Sequence, residues 1–186
     1  MAIYMVYEDA LALMKRWTPS ESLQKHMLAV ETAMRAYARK YGEPEEKWAI
    51  TAILHDFDYE KFPETHPYRG VEMLREMGYP EDVLEAILGH ADVPEHPRNT
   101  LMAKVLFAVD ELVGLITAAV YVRPDKSVQS LELDSLKKKF KDKAFAARVD
   151  REGILRGAQE LGVDLDEHMA FVLEAMKADA MRLGLG

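Results

Sequence analysis

The run NTLMAKVLFAVDELVGLITAAVYV, residues 99–122, decides the fold class. It is a long apolar stretch read as one helix, stopped by Arg123-Pro124, because the residue before a proline is driven out of helical geometry. Working outward, nearly all of the remaining chain reads the same way. Strict alternation of apolar and polar residues is absent, so strands have little support. Residues 2–17 form an amphipathic helix that stops before Thr18-Pro19. Ser20 or Ser22 caps a helix reaching Tyr41, with Leu23, Met27, Val30, Met34 and Tyr37 on one face, and Gly42 ends it. Pro44 opens a third helix that carries Trp48, Ala52, Ile53 and Leu54 towards His55-Asp56. Residues 57–66 read as a loop; Pro67 and Pro80 open helices ending at Gly78 and near Gly89. Beyond Pro124 come helices around 134–143, 151–161 and 166–183. The expected fold is therefore all-α.

Composition bounds the function. The 186 residues suit one domain with a real core, here a motif-bearing part at 20–122 and a helical C-terminal extension at 123–186. A net charge of -8 disfavours general nucleic-acid binding. With no cysteine, disulfides and thiolate metal sites are excluded. Glu8 and Asp9 interrupt the N-terminus early, so no signal peptide is expected. No apolar run approaches the roughly 20 residues that span a bilayer, and a cytoplasmic location is expected.

Three places carry chemistry. Asp110 sits within Leu106-Phe107-Ala108-Val109-Asp110-Glu111-Leu112-Val113. A lone buried carboxylate costs several kcal/mol and is normally protonated, paired or metal-bound. Alternatively the helix turns Asp110 to water beside Glu111. His55-Asp56 ends the apolar stretch from Trp48, where both side chains can reach one ion; imidazole with carboxylate suits zinc, manganese, iron or nickel. His26 lies beside the core-facing Met27, where a histidine is either a packed core residue or a ligand.

The order His26, His55-Asp56, Asp110, each on its own helix, resembles the HD superfamily of metal-dependent phosphohydrolases, whose members hold a divalent metal inside a helical bundle with such a set. His66-Pro67-Tyr68-Arg69-Gly70 resembles the helix start of two-metal members, Gly89-His90 their second histidine, and Val109-Asp110-Glu111-Leu112 the final ligand motif; the stretches after it resemble a subgroup of small HDIG-like proteins. The resemblance implies an HD-type bundle with one or two divalent transition metal ions, Fe, Mn, Ni or Zn. It implies that Asp56 bridges two ions, that His26, His55 and Asp110 complete one, and that His66 and His90 favour the other. Only nine residues separate Asp56 from His66, fewer than in several two-metal members, so His66 either ligates or meets substrate or a nearby water. The implied reaction is hydrolysis of a small phosphoester, a nucleotide among the candidates, by a metal-bound hydroxide. An HD-fold diiron oxygenase and a non-catalytic regulatory domain are the alternatives.

Around this set, Asp58 either orients water, acts as general acid or base, or caps a turn. Arg69, Arg123 and Lys126 are candidates for holding phosphate, Arg69 through its planar fork. Lys61 and most of Lys137, Lys138, Lys139, Lys141 and Lys143 read as solvated charges. His96 and His168 lie outside the pattern and read as structural or surface residues. The sequence has no nucleotide-binding glycine loop and no Gly-x-Ser-x-Gly elbow.

Overall fold

The structure is a computed structural model that describes residues 6–186. Among the described residues there are ten α-helices, one turn of 3-10 helix and no strand. The chain is all-α, as the sequence implies. The helices are α1 (Tyr7–Trp17), α2 (Glu21–Tyr41), α3 (Glu45–Leu54), α4 (Tyr68–Glu76), α5 (Glu81–Gly89), α6 (Leu101–Tyr121), α7 (Leu133–Lys141), α8 (Arg151–Leu161), α9 (Leu165–Ala178) and α10 (Ala180–Leu183). The start of the first expected helix, residues 2–5, lies outside the described residues. No described helix is long and apolar enough to cross a membrane.

Two compact units divide the chain, one ending at Leu106 and the next beginning at Phe107. The division falls inside α6, where composition gives no break.

In the first unit α3 is the hub. Every residue from Trp48 to Leu54 is buried, and α1, α2 and α5 all pack on it. This is why its sequence is apolar nearly all round rather than on one stripe. α2 is punctuated as expected: the Ser20 hydroxyl accepts the Leu23 N–H, and Gly42 closes the helix in the left-handed region at φ 68°. The segment between α3 and α4 is a chain of tight turns, with Phe57 and Asp58 buried. In it the Phe62 N–H donates to the Asp58 carbonyl and the His66 N–H to that of Phe62.

In the second unit α9 is the hub, packed by α7, α8, α10 and the 3-10 turn Val128–Ser130. The expected helix 166–183 is interrupted at Asp179, whose φ of -115° and ψ of 18° leave helical geometry and separate α9 from α10. A Cβ on Gly157 of α8 would stand 2.7 Å from Ala108 Cα, so glycine is what lets α8 lie against α6 there. His168 is buried, its Nε2–H donating to the Ala108 carbonyl at 2.8 Å, which makes it structural. Arg151 donates to the carbonyls of Lys139, Phe140, Asp142, Phe145 and Ala146, tying the end of α7 to the loop that follows.

Candidate metal centre

The site grows from helix ends. α3 stops at Leu54 and His55 is its C-cap, still right-handed at φ -64° and ψ -26°. In that geometry the ring folds back and Nδ1–H donates to the Ala52 carbonyl, one of the acceptors a helix end leaves over. α5 repeats the device: His90 caps it at φ -75° and ψ -14°, and its Nδ1–H donates to the Ile87 carbonyl. A ring whose Nδ1 carries the proton presents Nε2 as the free lone pair, so both rings are oriented and fixed in tautomer by their own helices.

Those Nε2 atoms converge on Asp56. His55 Nε2 lies 3.3 Å from Oδ2, and His90 Nε2 lies 3.1 Å from Oδ1. His66, in the turn before α4, places Nε2 2.9 Å from the same Oδ1. The rings lie close together, with centroids 5.2 Å apart for His55–His90 and for His66–His90, and 5.8 Å for His26–His55. Asp56 thus belongs to two sets of donors. One includes His26 and His55, the other His66 and His90, and within each set the ligand atoms lie within 4.8 Å of one another.

Burial pushes the Asp56 carboxyl up, but the His55 charge and the hydrogen bonds from His55, His66 and His90 carry it well below the usual carboxylate range. His66 goes the other way. Burial lowers it, yet its bonds to Asp56 and Asp58 raise it to about 9. Imidazole lone pairs facing carboxylate oxygens repel unless positive charge stands among them. Protons on Nε2 supply that charge, and a divalent cation supplies more. The donor set, nitrogen and carboxylate oxygen with no sulfur, fits a borderline transition metal.

Asp58 is buried, with both oxygens engaged. Oδ1 lies 2.6 Å from His66 Nδ1, and Oδ2 accepts the Gly70 N–H at 2.8 Å. Arg98, unnoticed in the sequence, backs His90. Its guanidinium donates to the Gly89 carbonyl at 2.7 Å and to Asp92 at 3.2 Å, and a Cβ on Gly89 would meet its Cγ at 2.9 Å. The glycine next to His90 was the only hint in the sequence.

The remaining candidates are placed as follows. Asp110 is half-buried on the part of α6 that belongs to the second unit, next to Glu111, which accepts the Asp150 N–H at 3.1 Å. Arg69 pairs with Glu72 at 3.0 Å and lies over the Phe62 ring, and Lys61 lies over Trp17. Arg123 donates through Nε to Ser130 Oγ at 2.8 Å. Lys126 is exposed in the same turn, in the left-handed region at φ 50°. His96 meets the Tyr68 ring at a tilt of 51°, centroids 5.5 Å apart, and is not a member of either Asp56 set.

The family model described as HD domain matches residues 23–115, a span holding all six histidine and aspartate positions singled out as ligands. No curated protein and no solved structure matches the chain.

Proposed function

The chain belongs to the HD-domain family, and from that premise we propose that it is a metal-dependent phosphohydrolase cleaving a small phosphoester. The observation that carries this reading is Asp56, a single carboxylate facing the Nε2 atoms of His55, His66 and His90 at 2.9–3.3 Å. Asp56 would then be common to both donor sets: His26 and His55 would hold one ion with it, His66 and His90 a second, and Asp110 would add to the first as the family's motif order implies. When bound, such an ion polarises a phosphoryl oxygen and acidifies a water to near neutral pH.

The protein's own groups do the rest. Helix carbonyls at Ala52 and Ile87 hold the proton on Nδ1 of His55 and His90, which keeps Nε2 open for a metal at working pH. Arg69, Arg123 or Lys126 holds the phosphate, offering positive charge on a chain whose net charge is -8.

The test is a screen of phosphomonoesters, nucleotides, cyclic nucleotides and phosphodiesters with Mn, Fe, Ni and Zn, with and without oxygen. Hydrolysis that disappears with a chelator, returns with a divalent ion and is lost in Asp56→Ala supports the reading. Turnover that requires oxygen and releases no phosphate replaces it with the oxygenase.

A further inference from the structure

His66 differs from the other two histidines of the Asp56 cluster in what stands behind it. His55 and His90 each end a helix and lean on a carbonyl three residues back. His66 precedes α4, and its Nδ1 meets a side chain instead, Asp58 Oδ1 at 2.6 Å. Asp58 is 1% exposed, and its second oxygen is held by the Gly70 N–H at 2.8 Å. An ionised carboxylate is an acceptor only, and the contact to Asp58, at 2.6 Å against 2.9 Å for Nε2 and Asp56, is the shorter of the two that compete for the proton of the neutral ring.

We propose that Asp58 is a positioning residue for His66: it fixes the Nδ1–H form of the ring and aims Nε2 at Asp56, and position 70 is glycine to let it do so. The glycine is the independent observation. A Cβ there would stand 2.7 Å from Asp58 Cγ, 2.9 Å from Oδ2 and 2.9 Å from the Phe57 ring. Contacts under 3 Å cannot be absorbed, because backbone and carboxylate are both pinned by the bond between them. A direct acid–base role needs a carboxylate oxygen open to substrate, and burial with both oxygens engaged denies it one. Asp58 therefore acts through His66 and supplies from a turn what helix carbonyls supply to the other two rings.

Asp58→Asn separates these roles. The amide keeps one acceptor and gains two donors. Its NH2 must face either the Gly70 N–H, donor against donor, or His66 Nδ1, which transfers the ring's proton to Nε2. The claim about the ring stands on geometry alone; its consequence for metal rests on the function proposed above. Two measurements keep them apart.

The first is imidazole nitrogen NMR on the full chain after chelation, at a pH above the His66 transition. The proton of wild-type His66 is expected on Nδ1, and in Asp58→Asn it moves to Nε2. A wild-type His66 protonated at Nε2 overturns the proposal, whether or not the variant folds. The second is Mn2+ and Zn2+ binding by calorimetry. Asp58→Asn should weaken the affinity about 10- to 100-fold, and in a His66→Ala background the same change should cost nothing further. An equal loss with and without His66 overturns the proposal, since Asp58 would then act elsewhere. A wild-type chain that binds neither ion defeats the metal reading and leaves the NMR result to decide the role of Asp58.

Discussion

Segments 55–70 and 137–151 are both dense in titratable side chains, and they use them in opposite ways. In 55–70 the side chains look at one another: three imidazoles face Asp56, and Asp58 backs one of them. In 137–151 Lys137, Lys139 and Arg151 each serve a separate local contact. Lys137 meets Asp166 at 2.8 Å, Lys139 lies over the Phe145 ring, and Arg151 gathers five carbonyls of its own loop. Lys138, Lys141 and Lys143 stand in solvent. A run of like charge in the sequence thus dispersed, while scattered histidines converged. Convergence needs rigid elements that end at the same place, and α3 and α5 provide them.

The largest effect should come from Asp56→Ala. Removing the residue common to both donor sets should weaken metal binding by more than about 100-fold, beyond what a supporting residue typically costs. Elemental analysis after dialysis reads this directly. Metal retained at wild-type level would mean that 55–70 is a self-contained network like 137–151, and the contrast would be gone.

Arg151→Ala should come next. Five carbonyls, one exposed and four part-buried, lose their donor at once, and the expected loss is about 1–2 kcal/mol. Urea unfolding measures it, and the folded variant should keep its metal. Metal lost from the folded protein would show that the two segments are not independent.

Arg98→Ala sharpens the first half of the comparison. It frees the Gly89 carbonyl and the turn that carries His90, and metal affinity should fall about tenfold with little change in melting temperature. An unchanged affinity would show that the α5 carbonyl alone orients His90.

Least should happen in Lys138→Ala, Lys141→Ala and Lys143→Ala combined. Metal content and unfolding should match wild type, because solvated surface charges contribute little. A fall in kcat/KM that grows at low salt would instead assign these lysines to attracting an anionic substrate.

The helices were legible because their ends are written locally. Pro44, Pro80, Gly42 and Pro124 each punctuate by backbone sterics: α3 and α5 start directly after the first two, α2 stops before Gly42 and α6 before Pro124. The order of His26, His55-Asp56, His66, His90 and Asp110 was legible as a family pattern, and residues 23–115 match that family. What was not legible depends on residues meeting from elsewhere. Asp58 lies in a stretch that reads as a loop, and its burial goes with contacts to His66 and Gly70, eight and twelve positions away. Arg98 follows a proline in a polar stretch and looks like a solvated charge until α5 is laid beside it. The break at Asp179 carries no proline or glycine, so α9 and α10 read as one.

Gly70 and Gly89, each packed against a side chain that supports a histidine, have a consequence for how this sequence can change over time. At Gly89 the space of a side chain is already filled by Arg98, and at Gly70 by Asp58. Neither position of a pair can be explored alone: alanine at 89 is blocked while arginine remains at 98, and a smaller residue at 98 abandons the Gly89 carbonyl before anything replaces it. The order in which substitutions arrive therefore decides which are tolerated. Gly89→Ala introduced after Arg98→Ala should be milder than Gly89→Ala introduced first, so each pair is inherited as one unit, although its members lie nine positions apart in one case and twelve in the other.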